Sequence, residues 1–394
     1  MATEDIFNLI DCRDLTTRQD STRYFGDHAN FLWEHSRLDS VICRGVESTS
    51  LPDTVIQTPI PLNNTIPKFF AAINKFGPLS IANGYNSKKL FDYFASQIIE
   101  SENCGNYLFT TPGLIKTVEA IEGQLIVRGT TEFAPSMIHR VREEAESTGI
   151  EPNMTESFVR LCHDREKSLK EAQGIIALSN FVKQSFVDGG IDKEKIKVVN
   201  LGVKTDLFPQ KREYKEDEFR VLFVGADKLR KGIMYLINTW KKCGWSNDQN
   251  AELRIIGPGT ENIEHLYDDD SNINVLGKVD NIVKEYQEAT VFALPSLSEG
   301  FVRTAVEAMS VGTPVIVTPN CGTTDIMEHK REGFSVPIKN SKKIADALQY
   351  FRDNPSEVKR MGQNAARTAR NHNWENYMNE LTNYIDTLNH TERL

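Results

Sequence analysis

Residues 291–319 read VFALPSLSEGFVRTAVEAMSVGTPVIVTP, and this stretch decides the fold. Its first four residues are a continuous apolar run, which predicts a parallel strand that is covered on both faces. A loop, a helix and a second strand are predicted to follow over residues 295–300, about 302–311 and 315–318. Apolar side chains at helical spacing would pack this helix against the sheet: Val302, Ala305, Val306 and Met309. The stretch therefore predicts a strand–loop–helix–strand unit of a parallel sheet.

Two glutamates stand eight positions apart in this unit, Glu299 in the loop and Glu307 in the helix. The backbone N–H groups at the start of the helix favour an anion such as a phosphate, and they belong to Phe301, Val302 and Arg303. A carboxylate beside a phosphate site accepts hydrogen bonds from sugar hydroxyls. Taken alone, each glutamate is better explained as a solvent-exposed charge, so the pair needs support from the rest of the chain.

Strand and helix patterns alternate along most of the chain, which predicts parallel sheets with helices on both faces. Strands are predicted at residues 79–82, 107–109, 124–127, 174–178 and 196–199, and again at 219–224, 253–256, 273–276, 291–294, 315–318 and 334–337. Residues 1–60 show only short apolar pieces, with a turn into a helix predicted at 26–30. The polar run 211–218 predicts a linker between two doubly wound domains. A last helix over 374–388 is expected to return to the first domain.

A second motif follows the strand predicted at 219–224 and reads VGADKLRKG over residues 224–232. Gly225 ends the strand, and Lys231 comes just before a predicted helix. A cation is slightly unfavourable at a helix start because of the helix dipole, so a bound anion explains Lys231 better than solvent does. Other distinctive loops follow neighbouring strands at Gly257 and at 277–279. Ligands bind outside the carboxyl ends of such strands, so these loops predict one site.

Composition and motif content exclude several classes of protein. The 394 residues carry a formal net charge of −9, which argues against a nucleic-acid binder, although a local basic pocket remains open. Six scattered cysteines without a C-x-x-C pair favour reduced thiols over a disulfide framework or a zinc site. The sequence has none of the G-x-G-x-x-G, P-loop or G-x-S-x-G motifs that mark dehydrogenases, P-loop proteins and hydrolases. No apolar run approaches the ~18 residues of a membrane span, so we expect a cytoplasmic protein.

The order Glu-Gly-Phe at 299–301, Glu-Ala-Met at 307–309 and Gly-Thr-Pro at 312–314 resembles the donor site of retaining glycosyltransferases of family 4. Residues 225–232 resemble the donor-phosphate loop of the same family. The resemblance is close from about residue 174 onward and loose before it. It implies a GT-B fold, α/β with two doubly wound Rossmann-like domains facing a cleft. Residues 1–205 and the helix 372–394 would form the acceptor-side domain, and residues 206–371 the nucleotide-sugar domain.

The resemblance also implies roles for individual residues. Lys231, with Arg230 as a weaker candidate, would neutralise the donor diphosphate, Glu307 would hold the ribose and Glu299 the transferred sugar. The backbone around residues 277–279 would border the base. Arg128 stands where many members of the family have a histidine, and it would clamp phosphate or acceptor unless it is an ordinary surface arginine. The predicted catalytic residues are thus Glu299, Lys231 and Arg128. The predicted donor-binding residues are Glu307, Gly225, Arg230, Gly300, Phe301, Val302, Arg303, Gly257, Lys278 and Val279.

Two departures from the family pattern affect this prediction. Ala226 stands where the family often has an arginine after the first glycine, with Arg230 as a candidate replacement. The family's early Gly-Gly loop has no counterpart in residues 1–60.

The acidic run at 268–270 lies in a polar segment with no strand before it, so we interpret it as a solvated loop and expect no metal site.

The function predicted is transfer of a hexose, with retention and without a metal or other cofactor, from a UDP- or GDP-linked sugar. The acceptor would be a saccharide, a glycolipid or a polysaccharide, and peripheral membrane contact is left open. A nucleotide-sugar epimerase of the same fold is one alternative, although Arg128 is a poor base because an arginine side chain stays protonated. A non-catalytic nucleotide-sugar-binding subunit of a glycosylation complex is the other, suggested by Ala226, Arg128 and the first sixty residues.

Overall fold

The computed structural model describes residues 7–16, 24–58, 84–102, 106–109, 113–152, 154–211, 213–214, 217–258, 260, 263 and 272–391. The strands are β1 (Phe7–Thr16), β2 (Leu38–Ser48), β3 (Ile56–Gln57), β4 (Asn106–Phe109), β5 (Leu125–Gly129), β6 (Gly174–Ala177), β7 (Ile196–Val198), β8 (Phe219–Val224), β9 (Ala251–Ile256), β10 (Ile273–Gly277), β11 (Val291–Leu294), β12 (Val315–Val317) and β13 (Gly333–Ser335). The helices are α1 (Tyr24–Glu34), α2 (Gly84–Glu102), α3 (Ile115–Ala120), α4 (Ala134–Thr148), α5 (Glu156–Glu171), α6 (Asn180–Asp188), α7 (Ile233–Lys242), α8 (Ile282–Glu288), α9 (Arg303–Ser310), α10 (Ser341–Asp353), α11 (Pro355–Asn371) and α12 (Trp374–Thr391).

The strands form two separate sheets. The first has seven strands in the order β3-β2-β1-β4-β5-β6-β7, and the second has six in the order β10-β9-β8-β11-β12-β13. Neighbouring strands are parallel in both sheets. Each order runs outward from one strand and then restarts on its other side, as in doubly wound folds. The predicted fold class, two doubly wound α/β units, is therefore observed.

The strand β11, which begins the stretch 291–319, lies near the centre of the second sheet. All four residues of β11 are buried, and the strand pairs with β8 on one side and with β12 on the other. Burial on both faces is the reason for its continuous apolar sequence. Its helix α9 begins at Arg303, one residue after the predicted start, with Ala305, Val306 and Met309 fully buried.

The C-terminal helix α12 contacts the first sheet. The peptide N–H of Val203 donates to the carbonyl of His372, and the N–H of Trp374 donates to the carbonyl of Val203, each at 3.1 Å. Farther along α12, the Tyr384 hydroxyl donates to the carbonyl of Lys195 at 2.9 Å. The chain therefore crosses from the second sheet back to the first at residues 372–374. The domain limits at 205/206 and 371/372 remain predictions.

Of two predictions in the first hundred residues, one is wrong and the other falls outside the described residues. The turn predicted at 26–30 is wrong, because these residues lie inside α1, which begins at Tyr24. His28 and Ala29 are fully buried, so this helix packs where a loop was expected. The strand predicted at 79–82 lies outside the described residues.

Candidate functional site

Two loops meet at the point in the second sheet where the strand order restarts. The loop 225–232 leaves the carboxyl end of β8, and the loop 295–300 leaves the carboxyl end of the neighbouring β11. The N–H of Leu297 donates to the carbonyl of Arg230 at 2.8 Å, which joins the two loops directly. In doubly wound sheets this crevice is where ligands bind. The sequence prediction that both motifs share one site therefore agrees with the topology.

Glu299 is the residue on which this crevice is centred. One oxygen of its carboxylate, Oε1, lies 2.8 Å from Nη1 of Arg230 and 2.7 Å from Nζ of Lys231. Its side chain is only 11% exposed. Burial raises the pKa of Glu299, but the charges of Arg230 and Lys231 outweigh burial and hold this pKa below its ordinary value. Glu299 is therefore a carboxylate at neutral pH, suited to accept hydrogen bonds.

Arg230 is fixed in place from three sides. Its Nε donates to Asp227 at 3.0 Å, and its Nη1 donates to the carbonyl of Ser298 at 2.8 Å in addition to the contact with Glu299. The N–H of Arg230 also donates to the Asp227 carboxylate at 3.1 Å. Two cations and two carboxylates therefore form one compact group, which we call the Glu299 cluster (Asp227, Arg230, Lys231, Glu299). Its formal charges cancel, so an incoming anion competes with carboxylates for the two cations.

Glycines allow the close approaches on which this crevice depends. A Cβ atom at Gly225 would lie 2.3 Å from Cδ of Lys231, so the lysine side chain passes directly over this position. Gly257, with φ of +144°, lets the end of β9 approach β8, because a Cβ there would lie 2.2 Å from the carbonyl oxygen of Gly225. Larger residues at either position would push the lysine or the neighbouring loop aside.

The second glutamate, Glu307, lies one helix turn into α9 and is 2% exposed. Its Oε1 lies 2.8 Å from Nε of Arg303, and its Oε2 accepts a 2.8 Å hydrogen bond from the Tyr286 hydroxyl. Burial raises the pKa of Glu307, and Arg303 and Tyr286 oppose this increase without cancelling it. The interpretation of Glu307 as an ordinary surface charge is wrong.

The start of α9 differs in one respect from the prediction. The N–H of Arg303 donates to the carbonyl of Phe301 at 3.1 Å, so it is not directed toward an anion in this structure. Phe301 and Val302 are both buried, at 8% and 2% exposure. Gly300 lies against the first domain, because a Cβ there would be 1.9 Å from the carbonyl oxygen of Thr130. The loop that carries Glu299 thus closely approaches the end of β5.

The residues predicted to border the base follow the outer strands of the same sheet. The N–H of Gly257 donates to the carbonyl of Gly277 at 2.8 Å, which aligns the ends of β9 and β10. Lys278 is exposed and Val279 is half-buried directly after β10. They lie at the same sheet edge as the Glu299 cluster. Their role in base recognition remains a prediction.

Arg128 is buried at 5% exposure, so the alternative interpretation as a surface arginine is wrong. Burial raises the pKa of the Tyr377 hydroxyl in α12, and the nearby guanidinium of Arg128 opposes this increase. The same hydroxyl lies 3.0 Å from Nε2 of His28 in α1. Tyr377 and His28 are themselves buried. Arg128 therefore joins three elements of the first domain at the end of β5. A direct role of Arg128 with phosphate or acceptor stays a prediction.

Polar contacts connect the two halves across the cleft. The carboxylate of Glu144 in α4, 1% exposed, accepts a 2.6 Å hydrogen bond from the Tyr235 hydroxyl and lies 2.7 Å from Nζ of Lys339. On the other side, Asp325 accepts hydrogen bonds from the N–H of Asn180 at 2.7 Å and from the side chain of Asn200 at 3.1 Å. Polar side chains therefore join the two halves of the chain at two places.

Other features of the described chain bear on cofactor and membrane predictions. Across the described ranges, no group of three or more His, Cys, Asp or Glu side chains is arranged to hold a metal ion. The acidic run at 268–270 lies outside those ranges. In the part of the chain that the structure describes, no helix has the length and apolarity needed to cross a bilayer. Cys43, Cys162, Cys243 and Cys321 are free thiols.

Sequence reasoning missed several residues that shape the site. Tyr286, Asp227, His28 and Tyr377 were not singled out. Asp227 could have been predicted from the sequence. An aspartate three residues before an arginine in a turn can accept the arginine's backbone N–H and pair with the arginine's side chain. His28 and Tyr377 are 349 positions apart, and no local pattern brings them together.

The comparisons with known proteins agree first on the class of fold. Sucrose-phosphate synthase from Thermosynechococcus elongatus superposes with a TM-score of 0.70 at 16% identity, over 98% of this chain and 100% of that one. Anabaena HepE, solved in complex with UDP, superposes with a TM-score of 0.65 at 15% identity, over 97% of this chain and 100% of its own. At such low identity these matches show the fold alone. They confirm the predicted GT-B fold.

The family match lies in the second half of the chain. Residues 204–368 match the family described as Glycosyl transferases group 1, and they include the whole Glu299 cluster. The capsular polysaccharide biosynthesis glycosyltransferase CapM of Staphylococcus aureus is 29% identical over 219 residues, which are 51% of this chain and 57% of CapM. An uncharacterized glycosyltransferase of Methanocaldococcus jannaschii is 31% identical over 45% of this chain and 50% of its own length. The chain thus spans about half the length of the curated relatives it matches.

Proposed function

We propose that this protein is a glycosyltransferase that moves a hexose from a nucleotide-sugar to a hydroxyl acceptor, with retention and without a metal ion. The observation that carries the proposal is the Glu299 cluster, in which Arg230 and Lys231 meet one carboxylate at 2.8 and 2.7 Å. The cluster lies at the switch point of a GT-B fold, inside the region that matches Glycosyl transferases group 1. Position, charge and family match thus support the same function.

The two cations suit the charge that such a reaction produces. Breaking the bond between the anomeric carbon and the phosphate oxygen leaves a nucleoside diphosphate with increased negative charge. Lys231 and Arg230 would stabilise this leaving group, which is typically the largest catalytic contribution in a site of this kind. Because both side chains are already held by Glu299, they need little reorganisation when the diphosphate arrives.

Glu299 would act as a hydrogen-bond acceptor and not as an acid. Its pKa lies below the ordinary value, so it carries no proton to donate at neutral pH. A carboxylate here can hold the hydroxyls of the transferred sugar and attract positive charge that develops on its ring. Glu307 would bind the ribose diol. Retention of configuration follows if the acceptor hydroxyl attacks from the face that the diphosphate leaves.

Donor and acceptor are proposed at the level of chemical class. UDP- and GDP-linked hexoses are both candidates, and Anabaena HepE, a neighbour by fold, has been solved with UDP-glucose. The acceptor is proposed to be a saccharide, a glycolipid or a polysaccharide, as CapM acts in capsular polysaccharide biosynthesis according to its description. We propose a cytoplasmic location, because nucleotide-sugars of this kind are the required substrates.

The proposal is tested by incubating the protein with UDP- and GDP-linked glucose and mannose, with and without a chelator. Donor hydrolysis or transfer that persists in the chelator, with the anomeric configuration retained by NMR, is the expected result. Acceptor-independent conversion of a nucleotide-sugar to its epimer would favour the epimerase instead. Tight donor binding without turnover for any acceptor would favour a non-catalytic subunit. Activity that is lost with the chelator and restored by a divalent ion would contradict metal independence.

A further inference from the structure

Glu307 has an environment that its predicted task does not by itself explain. Its carboxylate is 2% exposed, yet each oxygen already has a protein partner. Arg303, four residues earlier in α9, lies 2.8 Å from Oε1, and the Tyr286 hydroxyl from α8 donates to Oε2 at 2.8 Å. A carboxylate oxygen has two lone pairs, so each still has one free to accept a hydrogen from a ligand.

The two partners are fixed by the surrounding structure. Tyr286 is fully buried, and its carbonyl accepts a 2.7 Å hydrogen bond from the Thr313 hydroxyl. Arg303 is at the first position of α9, with its side chain 19% exposed. The Arg303–Glu307 spacing of four residues places both side chains on one face of the helix. The orientation of the Glu307 carboxylate is therefore set by two rigid donors.

No other charged group among the described residues offsets the burial of Glu307. Burial raises the pKa of Glu307, while Arg303 and Tyr286 are the groups that lower it. The helix α11 packs against α9 with small and apolar residues: Val358, Met361, Gly362, Ala365, Ala366 and Ala369. Asp325, in the turn that follows β12, bonds to Asn180 and Asn200 across the cleft instead. The charge state of Glu307 thus depends on Arg303 and Tyr286.

We propose that Arg303 and Tyr286 are positioning residues that keep the Glu307 carboxylate ionised and oriented for the hydroxyl groups of the bound nucleotide. This inference rests on the proposed function, in which Glu307 binds the ribose. A protonated Glu307 would turn one acceptor oxygen into a donor and would bind a diol more weakly. Arg303 and Tyr286 therefore control nucleotide affinity through Glu307.

The experiment measures the affinity of UDP, GDP and their 2′-deoxy forms by calorimetry from about pH 8.5 down to about pH 5.5, a range above the ordinary carboxyl pKa. The variants are Arg303→Met, Tyr286→Phe and Glu307→Gln. In Arg303→Met, the pH at which nucleotide affinity falls to half of its plateau value should rise by at least about one unit. Tyr286→Phe should produce a smaller movement in the same direction. Glu307→Gln should bind about tenfold more weakly than the wild type at the alkaline end of this range, because a charged acceptor is lost. The difference should narrow on acidification, since protonation removes the charged acceptor of the wild type as well.

Two further measurements separate positioning from general damage. In the double variant Arg303→Met with Glu307→Gln, the pH dependence created by Arg303→Met should disappear. Removing the 2′-hydroxyl of the nucleotide should weaken binding to the wild type but not to Glu307→Gln. The matched control is Arg360→Met, which breaks an exposed pair with Glu357 in α11 and should leave nucleotide affinity unchanged at every pH.

The outcomes distinguish this inference from the proposed function. If the wild type binds a nucleotide and Arg303→Met and Tyr286→Phe match its affinity and its pH profile, the inference is overturned while the proposed function stands. If the folded wild type binds none of these nucleotides, both are overturned. If Arg303→Met does not fold, Tyr286→Phe alone decides, since it removes one hydroxyl from a buried ring.

Discussion

Nζ of Lys231 lies 2.7 Å from Oε1 of Glu299, although the two residues follow different strands and are separated by 68 positions along the chain. The contact exists because β8 and β11 are neighbours in the sheet, so their carboxyl ends lie side by side. A carboxylate that holds a lysine in an enclosed crevice both orients the cation and neutralises it until a stronger anion arrives. Predictions about the proposed reaction begin with this pair.

Replacing Lys231 by alanine should lower the turnover of the donor by about 10²–10³-fold, the usual effect of removing one group that stabilises a leaving charge. Initial rates at saturating donor measure the effect. The matched control is Lys284→Ala, an exposed lysine of α8 in the same domain, which should retain full activity. Equal rates for both variants would remove Lys231 from the site.

Gly225→Ala should reduce nucleotide affinity while barely changing the melting temperature. The new Cβ would lie 2.3 Å from Cδ of Lys231, and a flexible lysine side chain avoids it by moving away from the cluster. Gly149→Ala is a useful contrast, because that site is open but has φ of +69°. It should cost about 1 kcal/mol of unfolding free energy without affecting binding. Unchanged affinity in Gly225→Ala would show that the lysine position is not needed.

The stability of the protein should decrease on acidification partly through Glu299. Its pKa in the folded protein lies below the ordinary value of 4.5, because Arg230 and Lys231 outweigh burial. Between the folded value and 4.5, the unfolded chain binds a proton that the folded chain does not, so the unfolding free energy falls as the pH falls. Urea unfolding across this range should show a steeper loss in the wild type than in Glu299→Gln. Parallel curves for the two proteins would exclude this contribution.

The parts of the fold that the sequence predicted best are those where a local pattern carries the information. The strand β11 has the predicted limits, and the helix α7 (Ile233–Lys242) begins just after Lys231, where a helix was predicted. A buried parallel strand requires a continuous apolar run, and an amphipathic helix requires a repeating one. By contrast, β1 reads FNLIDCRDLT, where charged residues interrupt the apolar pattern. Its pairing with β2 and β4 is a long-range property, so the N-terminal part of the first domain was hard to predict.

The residues that form the site could be predicted better than the contacts that those residues make. Lys231, Arg230 and Glu299 do meet, as their motifs indicated. The partners of Glu307 and Arg128 could not be predicted, since Tyr286 and Tyr377 come from helices whose packing depends on the whole fold. The hydrogen bond from the Arg303 N–H to the Phe301 carbonyl likewise depends on the geometry of one turn, which no residue pattern predicts.

The contact between Glu144 and the second domain should matter for both stability and transfer. Glu144→Ala removes the carboxylate that binds Tyr235 and Lys339, so Tyr235 loses its partner in a buried site. We expect a loss of about 1–3 kcal/mol in unfolding free energy and a larger fall in transfer rate than in nucleotide affinity. Glu143→Ala, exposed and 4.0 Å from Lys339, is the control. If Glu144→Ala behaved like Glu143→Ala in urea unfolding and in transfer, the contact of Glu144 with Tyr235 and Lys339 would contribute neither to stability nor to activity.

Arg128 and Tyr377 should show energetic coupling. Both side chains are buried, and the Arg128 guanidinium acts on the Tyr377 hydroxyl, so Arg128→Met and Tyr377→Phe should each destabilise the protein, and the double variant should lose less than the sum. A coupling energy of about 1 kcal/mol or more is expected for residues in one buried network. Urea unfolding of the four proteins measures it. Strict additivity would mean that Arg128 does not hold α12.

Calorimetric titration with UDP-glucose and GDP-mannose tests the central claim most directly, using the wild type, Lys231→Ala and Lys284→Ala. We expect saturable binding of at least one nucleotide-sugar to the wild type and to Lys284→Ala, with affinity lowered at least about tenfold in Lys231→Ala, the loss expected for one charged hydrogen bond. Absence of binding to the folded wild type, or equal affinity in all three proteins, would contradict it.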